Sequence, residues 1–121
     1  MRALLPLALA SAALFAAGCG GDSDGGGGGA AAPAVSGDTV PIDMVDVKFK
    51  PSNQTVKVGQ TVKWVNKDTV DHNAVATEGA DFKSELYGKG ESYEAEITQA
   101  GTVKYVCTLH PAMTGTLTVV E

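Results

Sequence analysis

Polar and apolar residues alternate along most of residues 38–121, and no apolar spacing of three or four persists long enough for a helix. A period of two predicts strands. Residues 39–49 read as one or two strands, with Ile42, Met44 and Phe49 directed to a core. Pro51-Ser52-Asn53 is a turn cluster. Residues 55–58 and 61–65 flank Gly59-Gln60, which predicts a type II′ hairpin. Val62 and Trp64 share one face of the second run and Lys63 takes the other. Residues 66–71 read as a polar loop, 72–76 as a short strand, and 77–90 as a loop pinned by Phe82 and Leu86. Tyr93, Ala95 and Ile97 point inward, Glu94 and Glu96 outward. After a turn at Gln99-Ala100-Gly101, Val103, Tyr105 and Cys107 share a face opposite Lys104. Residues 114–120 close the sheet through Leu117 and Val119. Seven or eight short strands at this spacing predict an all-β fold, an antiparallel Greek-key β-sandwich.

The first 37 residues break the pattern. Arg2 and the nearly unbroken apolar run of residues 3–17 read as an export signal over residues 1–18. That run is shorter than the roughly 20 residues that span a bilayer. Ala16-Ala17-Gly18-Cys19 resembles a bacterial lipobox, with Ala16 where Leu is commonest. Cleavage before Cys19 and its lipidation are expected, the alternative being a plain secretory signal cut nearby. Residues 19–37 read as a Gly-rich flexible tether, since nine of the 15 glycines lie between Gly18 and Gly37. As a coil, residues 20–37 would span about 23 Å. The expected location is the periplasmic or cell-surface side of a membrane, reached only through the lipid.

Composition narrows the functional classes. The chain has 121 residues, 44% hydrophobic and 19% charged, and residues 38–121 leave room for one small domain. A core that small often gains from a metal or a disulfide. Nine basic against 14 acidic residues give −5, and loss of Arg2 with the signal gives 8 against 14, or −6. An acidic chain without a Lys/Arg cluster excludes nucleic acid as the expected partner. No Ser/His/Asp set or carboxylate pair signals catalysis.

The chemistry is concentrated in Cys107-Thr108-Leu109-His110-Pro111-Ala112-Met113, which places a thiol, an imidazole and a thioether between two strands. The only other histidine, His72, opens a strand upstream. A thiolate and two imidazoles with a distant thioether suit copper in both oxidation states, the sulfurs favouring Cu(I) and the imidazoles Cu(II). Zinc remains open for the same donors, although zinc sites rarely use thioether and a two-Cys, two-His site needs a second domain cysteine. Each residue also has a plainer role available: Cys107 as a small buried hydrophobe, Met113 as packing, the histidines as loop or edge residues.

Phe49-Lys50-Pro51, Val58-Gly59-Gln60-Thr61-Val62-Lys63-Trp64-Val65-Asn66, His72-Asn73 and residues 101–113 followed by Gly115 together resemble the cupredoxins, the type 1 blue copper proteins. Within that family they are most similar to the amicyanin and plastocyanin groups. The Cys-x2-His-x2-Met loop has the amicyanin length. The resemblance implies His72, Cys107 and His110 as equatorial ligands of one copper ion and Met113 as a weak axial one. It implies that Asn73 steadies the ligand loop and directs its amide at the thiolate. Leu109 stands where amicyanin-like loops usually carry Pro, and Ala112 is smaller than usual. The implied function is transfer of single electrons by a monomer, without enzymatic turnover. Redox partners would dock transiently at the His110 edge, over Leu109, Pro111 and Ala112. A copper carrier without redox turnover shares these ligands. An immunoglobulin-like binding sandwich would also use Trp64 and Tyr105-Val106-Cys107, but residues 38–106 offer no partner cysteine.

Overall fold

Alternation along the chain becomes two facing sheets. The computed structural model describes residues 30–121, so the expected export signal and Cys19 lie outside the described residues. Eight strands follow in order: β1 (Thr39–Val45), β2 (Lys48–Lys50), β3 (Asn53–Lys57), β4 (Thr61–Asn66), β5 (Val75–Glu78), β6 (Ser92–Glu96), β7 (Gly101–Val106) and β8 (Thr114–Val120). One sheet runs β2-β1-β4-β6 and the other β3-β8-β7-β5. The sandwich is as expected, but its pairing is mixed. β1 lies parallel to β4 and β3 parallel to β8, while the remaining pairs are antiparallel.

The parallel pairs explain why Gly59-Gln60 does not close a hairpin. β3 and β4 belong to different sheets, so this turn carries the chain across the sandwich. Gly59 has φ 96°, a left-handed value that glycine accepts without strain. The Gln60 side chain is folded inward. Its Oε1 accepts from the Lys57 amide at 2.8 Å, and its Nε2 donates to the carbonyls of Val35 and Gly37 at 2.9 and 2.8 Å. A two-residue hairpin loop leaves no such buried amide, and this one ties the crossover to the segment that precedes β1.

That segment is held at two places. Ala32 bridges Gln54 in parallel, with hydrogen bonds of 2.8 and 2.9 Å to Asn53 and Thr55. The buried Gln54 amide donates to the Pro33 carbonyl at 2.8 Å. The end of the expected tether thus lies along the outer edge of β3.

The inward residues read from the alternation form the core. Ile42, Met44, Phe49, Val62, Trp64, Val103, Tyr105 and Leu117 are essentially inaccessible, each burial contributing on the order of 1.5–3 kcal/mol. Trp64 sits at the centre, with ring centroids 4.8 Å from Phe82, 5.4 Å from Tyr105 and 5.9 Å from Tyr93. A methyl group at Gly115 would overlap the Tyr105 ring, so the close approach of β8 to β7 requires glycine there. Leu86 differs from expectation: it is 47% exposed and does not pin its loop. Phe82 does, helped by hydrogen bonds. Ala74 donates to Ser84 Oγ at 2.8 Å, and Tyr87 and His72 exchange backbone bonds of 2.9 and 3.1 Å.

The β1–β2 hairpin turns through Asp46 and Val47 alone, both at φ 56°. Two left-handed central residues define a type I′ turn, which favours Asn-Gly. A β-branched residue there carries roughly 1–2 kcal/mol of strain. The two amides of this turn are satisfied by a residue of the next loop, described below.

Candidate metal centre

One end of the sandwich brings together the β7–β8 turn and the β4–β5 loop. β7 delivers Cys107, the turn that follows carries His110, and Met113 leads into β8. This turn is wound on itself: His110 N–H donates to the Cys107 carbonyl (3.2 Å), Met113 to His110 (2.8 Å), and Cys107 to Met113 (3.0 Å). Its shortness comes from these internal bonds, and they fix where the imidazole and the thioether leave the chain.

His72 arrives from the loop between β4 and β5. Asn66, wholly buried, organises that loop by donating to the carbonyls of Val70 and Tyr87, each at 2.9 Å, and accepting from the Asp68 amide at 2.8 Å. His72 is fully buried, and its Nδ1 lies 3.8 Å from Cys107 Sγ. His110 Nδ1 lies 3.7 Å from the same sulfur. The two imidazoles meet edge to face with centroids 5.0 Å apart. One donor atom from each of His72, Cys107 and His110 falls within 4.8 Å of the others.

These separations fit a metal ion better than direct hydrogen bonding. They exceed an ordinary N–H···O distance, and they match donors about 2.0–2.3 Å from a common centre at angles near 120°. Three donors of this kind, two borderline and one soft, are positioned to hold one ion. Cys107 is inaccessible to solvent and unpaired, and is the one free cysteine among the described residues. Met113 is buried, with its backbone bonded to those of Cys107 and His110, and His110 is half-buried. Leu109 is 50% exposed, and Pro111 and Ala112 are exposed around the same turn.

Asn73 differs in detail from the expectation that its amide faces the sulfur. Its Nδ2 donates to Thr108 Oγ1 at 2.9 Å, and its Oδ1 accepts from the Thr108 amide at 2.8 Å. Thr108 supplies both a donor and an acceptor within reach, so the carboxamide is satisfied there.

The residue that sequence reasoning missed is Asp68. Its Oδ2 lies 2.8 Å from His72 Nε2 and accepts from the Val47 amide at 2.9 Å, while Oδ1 accepts from the Asp46 amide at 2.9 Å. Burial acts to raise the Asp68 carboxyl, but the bonds from His72, Val47 and Asp46 outweigh it and hold the group below its ordinary value. A carboxylate only accepts, so the contact requires a proton on His72 Nε2, and it leaves Nδ1 as the ring atom that faces Cys107. The only signal in the chain is a carboxylate four residues before a histidine, which is too common to single out.

Comparison with known proteins bears on this site. Residues 38–120 match the family model for copper binding proteins, plastocyanin/azurin family. An amicyanin from Paracoccus denitrificans is 34% identical over 92 residues, covering 73% of this chain and 70% of that protein. A plastocyanin from Scenedesmus fuscus is 41% identical over 83 residues, covering 59% of this chain and 85% of that protein. Among solved structures, a reduced tryptophan-to-tyrosine mutant of amicyanin superposes with a TM-score of 0.65 at 32% identity, covering 71% of this chain and 86% of its own. A copper-containing nitrite reductase from Thermus scotoductus gives 0.65 at 30% identity, but the match covers only 25% of that longer chain.

Proposed function

The chain belongs to the plastocyanin/azurin family of copper binding proteins, and on that premise we propose that it is a small exported carrier of single electrons. The observation that carries this reading is the convergence of His72, Cys107 and His110 on one point at the end of a rigid sandwich. Copper bound there supplies a one-electron couple between Cu(I) and Cu(II). The chain's own contribution is to keep the donors still. Cys107 is held by the end of β7 and by its backbone N–H donating to the Met113 carbonyl, His72 by Asp68, and the two ligand segments by Asn73 and Thr108. Met113 acts as the weak fourth donor. Donors that do not move between oxidation states leave little to reorganise when an electron passes.

Partners dock at the half-buried His110, over Leu109, Pro111 and Ala112. An apolar rim around a ligand edge has little charge to desolvate, which suits small and brief contacts. The acidic balance of the chain steers basic partners, so rates fall with added salt. Residues 1–18 direct export, Cys19 carries a lipid anchor, and the domain works as a monomer on the periplasmic or cell-surface side. The chain is not an enzyme in this reading, since a copper ion held by His72, Cys107, His110 and Met113 would keep no open position for a substrate.

Addition of Cu(II) to the metal-free protein tests the proposal. An intense visible band from sulfur-to-copper charge transfer, lost in Cys107→Ser, is the expected result. A colourless protein that prefers Zn(II) would overturn it. A coloured protein whose copper cannot be cycled by small redox agents would instead favour a carrier of the metal.

A further inference from the structure

The β1–β2 hairpin and the β4–β5 loop come from separate stretches of sequence, yet they share a single carboxylate. Asp68 caps both left-handed residues of the turn, Asp46 and Val47, and with one of the same oxygens holds His72 Nε2. The turn has no glycine to adopt that conformation freely, so it depends on these two bonds more than an Asn-Gly turn would. The Asp68 side chain retains only 16% of its accessibility and that of His72 none, so water does not readily replace either partner.

We infer that Asp68 is a positioning residue for the metal centre, fixing His72 in the tautomer that presents a bare Nδ1 to the metal while locking the β1–β2 turn. The inference rests on His72 being a ligand, as proposed above. Its chemistry follows from the carboxylate. An anion hydrogen-bonded to the far nitrogen makes the near nitrogen a stronger donor, and outer partners of this kind change metal affinity by about 10–100-fold. The gain is larger for the more highly charged ion, so Asp68 favours Cu(II) over Cu(I). The turn enters because Asp68 Oδ2 serves the Val47 amide and His72 at once, and any residue at position 47 other than proline keeps that amide.

Asp68→Asn separates these roles. A carboxamide has one oxygen in place of two, so it cannot accept from Asp46, Val47 and His72 together. Nitrogen-15 NMR of the metal-free protein reads the His72 tautomer. In the wild type the expected signature is a protonated Nε2 and a bare Nδ1, and in Asp68→Asn a mixture. On loading, Cu(II) affinity should fall about tenfold or more in the variant and Cu(I) affinity by less, so that their ratio falls. Should Asp68→Asn not fold, Val47→Gly relieves the left-handed turn and provides a background in which to make it. Val47→Gly alone should leave the tautomer and both affinities unchanged. An unaltered His72 tautomer with an unaltered affinity ratio, in either background, overturns the inference. Failure of the wild type to take up copper would defeat the electron-carrier reading alone, because the tautomer is measured without metal.

Discussion

Asn73 and Thr108 hold each other through two hydrogen bonds, side chain to side chain at 2.9 Å and backbone amide to carboxamide at 2.8 Å. Each stands next to a proposed ligand, Asn73 after His72 and Thr108 after Cys107. The pair is thus a clasp between the two ligand-bearing segments of different origin. Asn73→Ala leaves the Thr108 amide without its partner and should destabilise the metal-free protein by about 1–3 kcal/mol. Thr108→Val removes only the side-chain acceptor and should cost about 1 kcal/mol. Denaturant unfolding of both single variants and the double variant measures the coupling. Strict additivity would show that the clasp does not act as a unit.

Met113 closes the ligand turn through its backbone, and its side chain is buried. Substitution by Gln keeps both the length and the backbone bonds. Met113→Gln should retain a coloured copper site, since three donors remain, and should lower the potential because oxygen or nitrogen favours Cu(II) over a thioether. Absorption and voltammetry on the same sample check this. Complete loss of copper would place Met113 among the essential ligands.

The exposed Leu109 is the largest apolar side chain on the turn that carries His110. Leu109→Glu puts a negative charge on the proposed docking surface of an already acidic protein. Electron self-exchange between two copies should slow by about tenfold or more at low salt and partly recover at high salt, with the absorption spectrum intact. An unchanged rate would move the docking surface elsewhere.

Tyr87 links the site loop to the core. Its hydroxyl donates to the Trp64 carbonyl at 3.1 Å and lies 3.3 Å from Met44 Sδ. Burial, with a smaller effect from Cys107, raises the phenol well above its ordinary value. The native state therefore keeps a proton that the unfolded chain loses above about pH 10. Stability from this group is complete below that pH and declines as pH rises towards the native value. Unfolding free energies at pH 7, 9 and 11 should show the decline, and Tyr87→Phe should make it shallower without abolishing it, because burial raises the Tyr105 phenol likewise. A wild-type slope identical to that of the variant would mean that the phenol stays wet.

The parts legible in the sequence were those written locally. Alternation placed Ile42, Val62, Trp64, Tyr105 and Leu117 on inward faces, because a strand's two sides are set by parity alone. Residues 107–113 carry three metal-binding side-chain types in one short stretch, so they announce their chemistry before any folding. Pairing was less legible. Nothing near Gly59-Gln60 says that β4 will lie beside β1, because that choice is made by burial of a remote face. Asp68 was invisible for the same reason: two of its three partners are amides more than 20 residues away, brought near by the fold. Leu86 misled because its apolar character suggested an anchor, whereas the loop is held by Ser84 and the backbone of Tyr87.

The strip that runs from Ala32 beside β3 has a consequence for how densely this molecule can be crowded. An uncovered outer strand is a template on which a neighbouring copy can grow a sheet. Here Ala32 occupies part of that rim, with Gln54 and Gln60 gripping the carbonyls that follow it. The other three rims are blunted differently: β2 has three residues, β5 has four and a break in register, and β6 turns Glu94 and Glu96 to solvent. These rims therefore offer a neighbouring copy little open strand on which to extend a sheet. Removing residues 30–37 should uncover β3 and raise aggregation, which light scattering at increasing protein concentration measures.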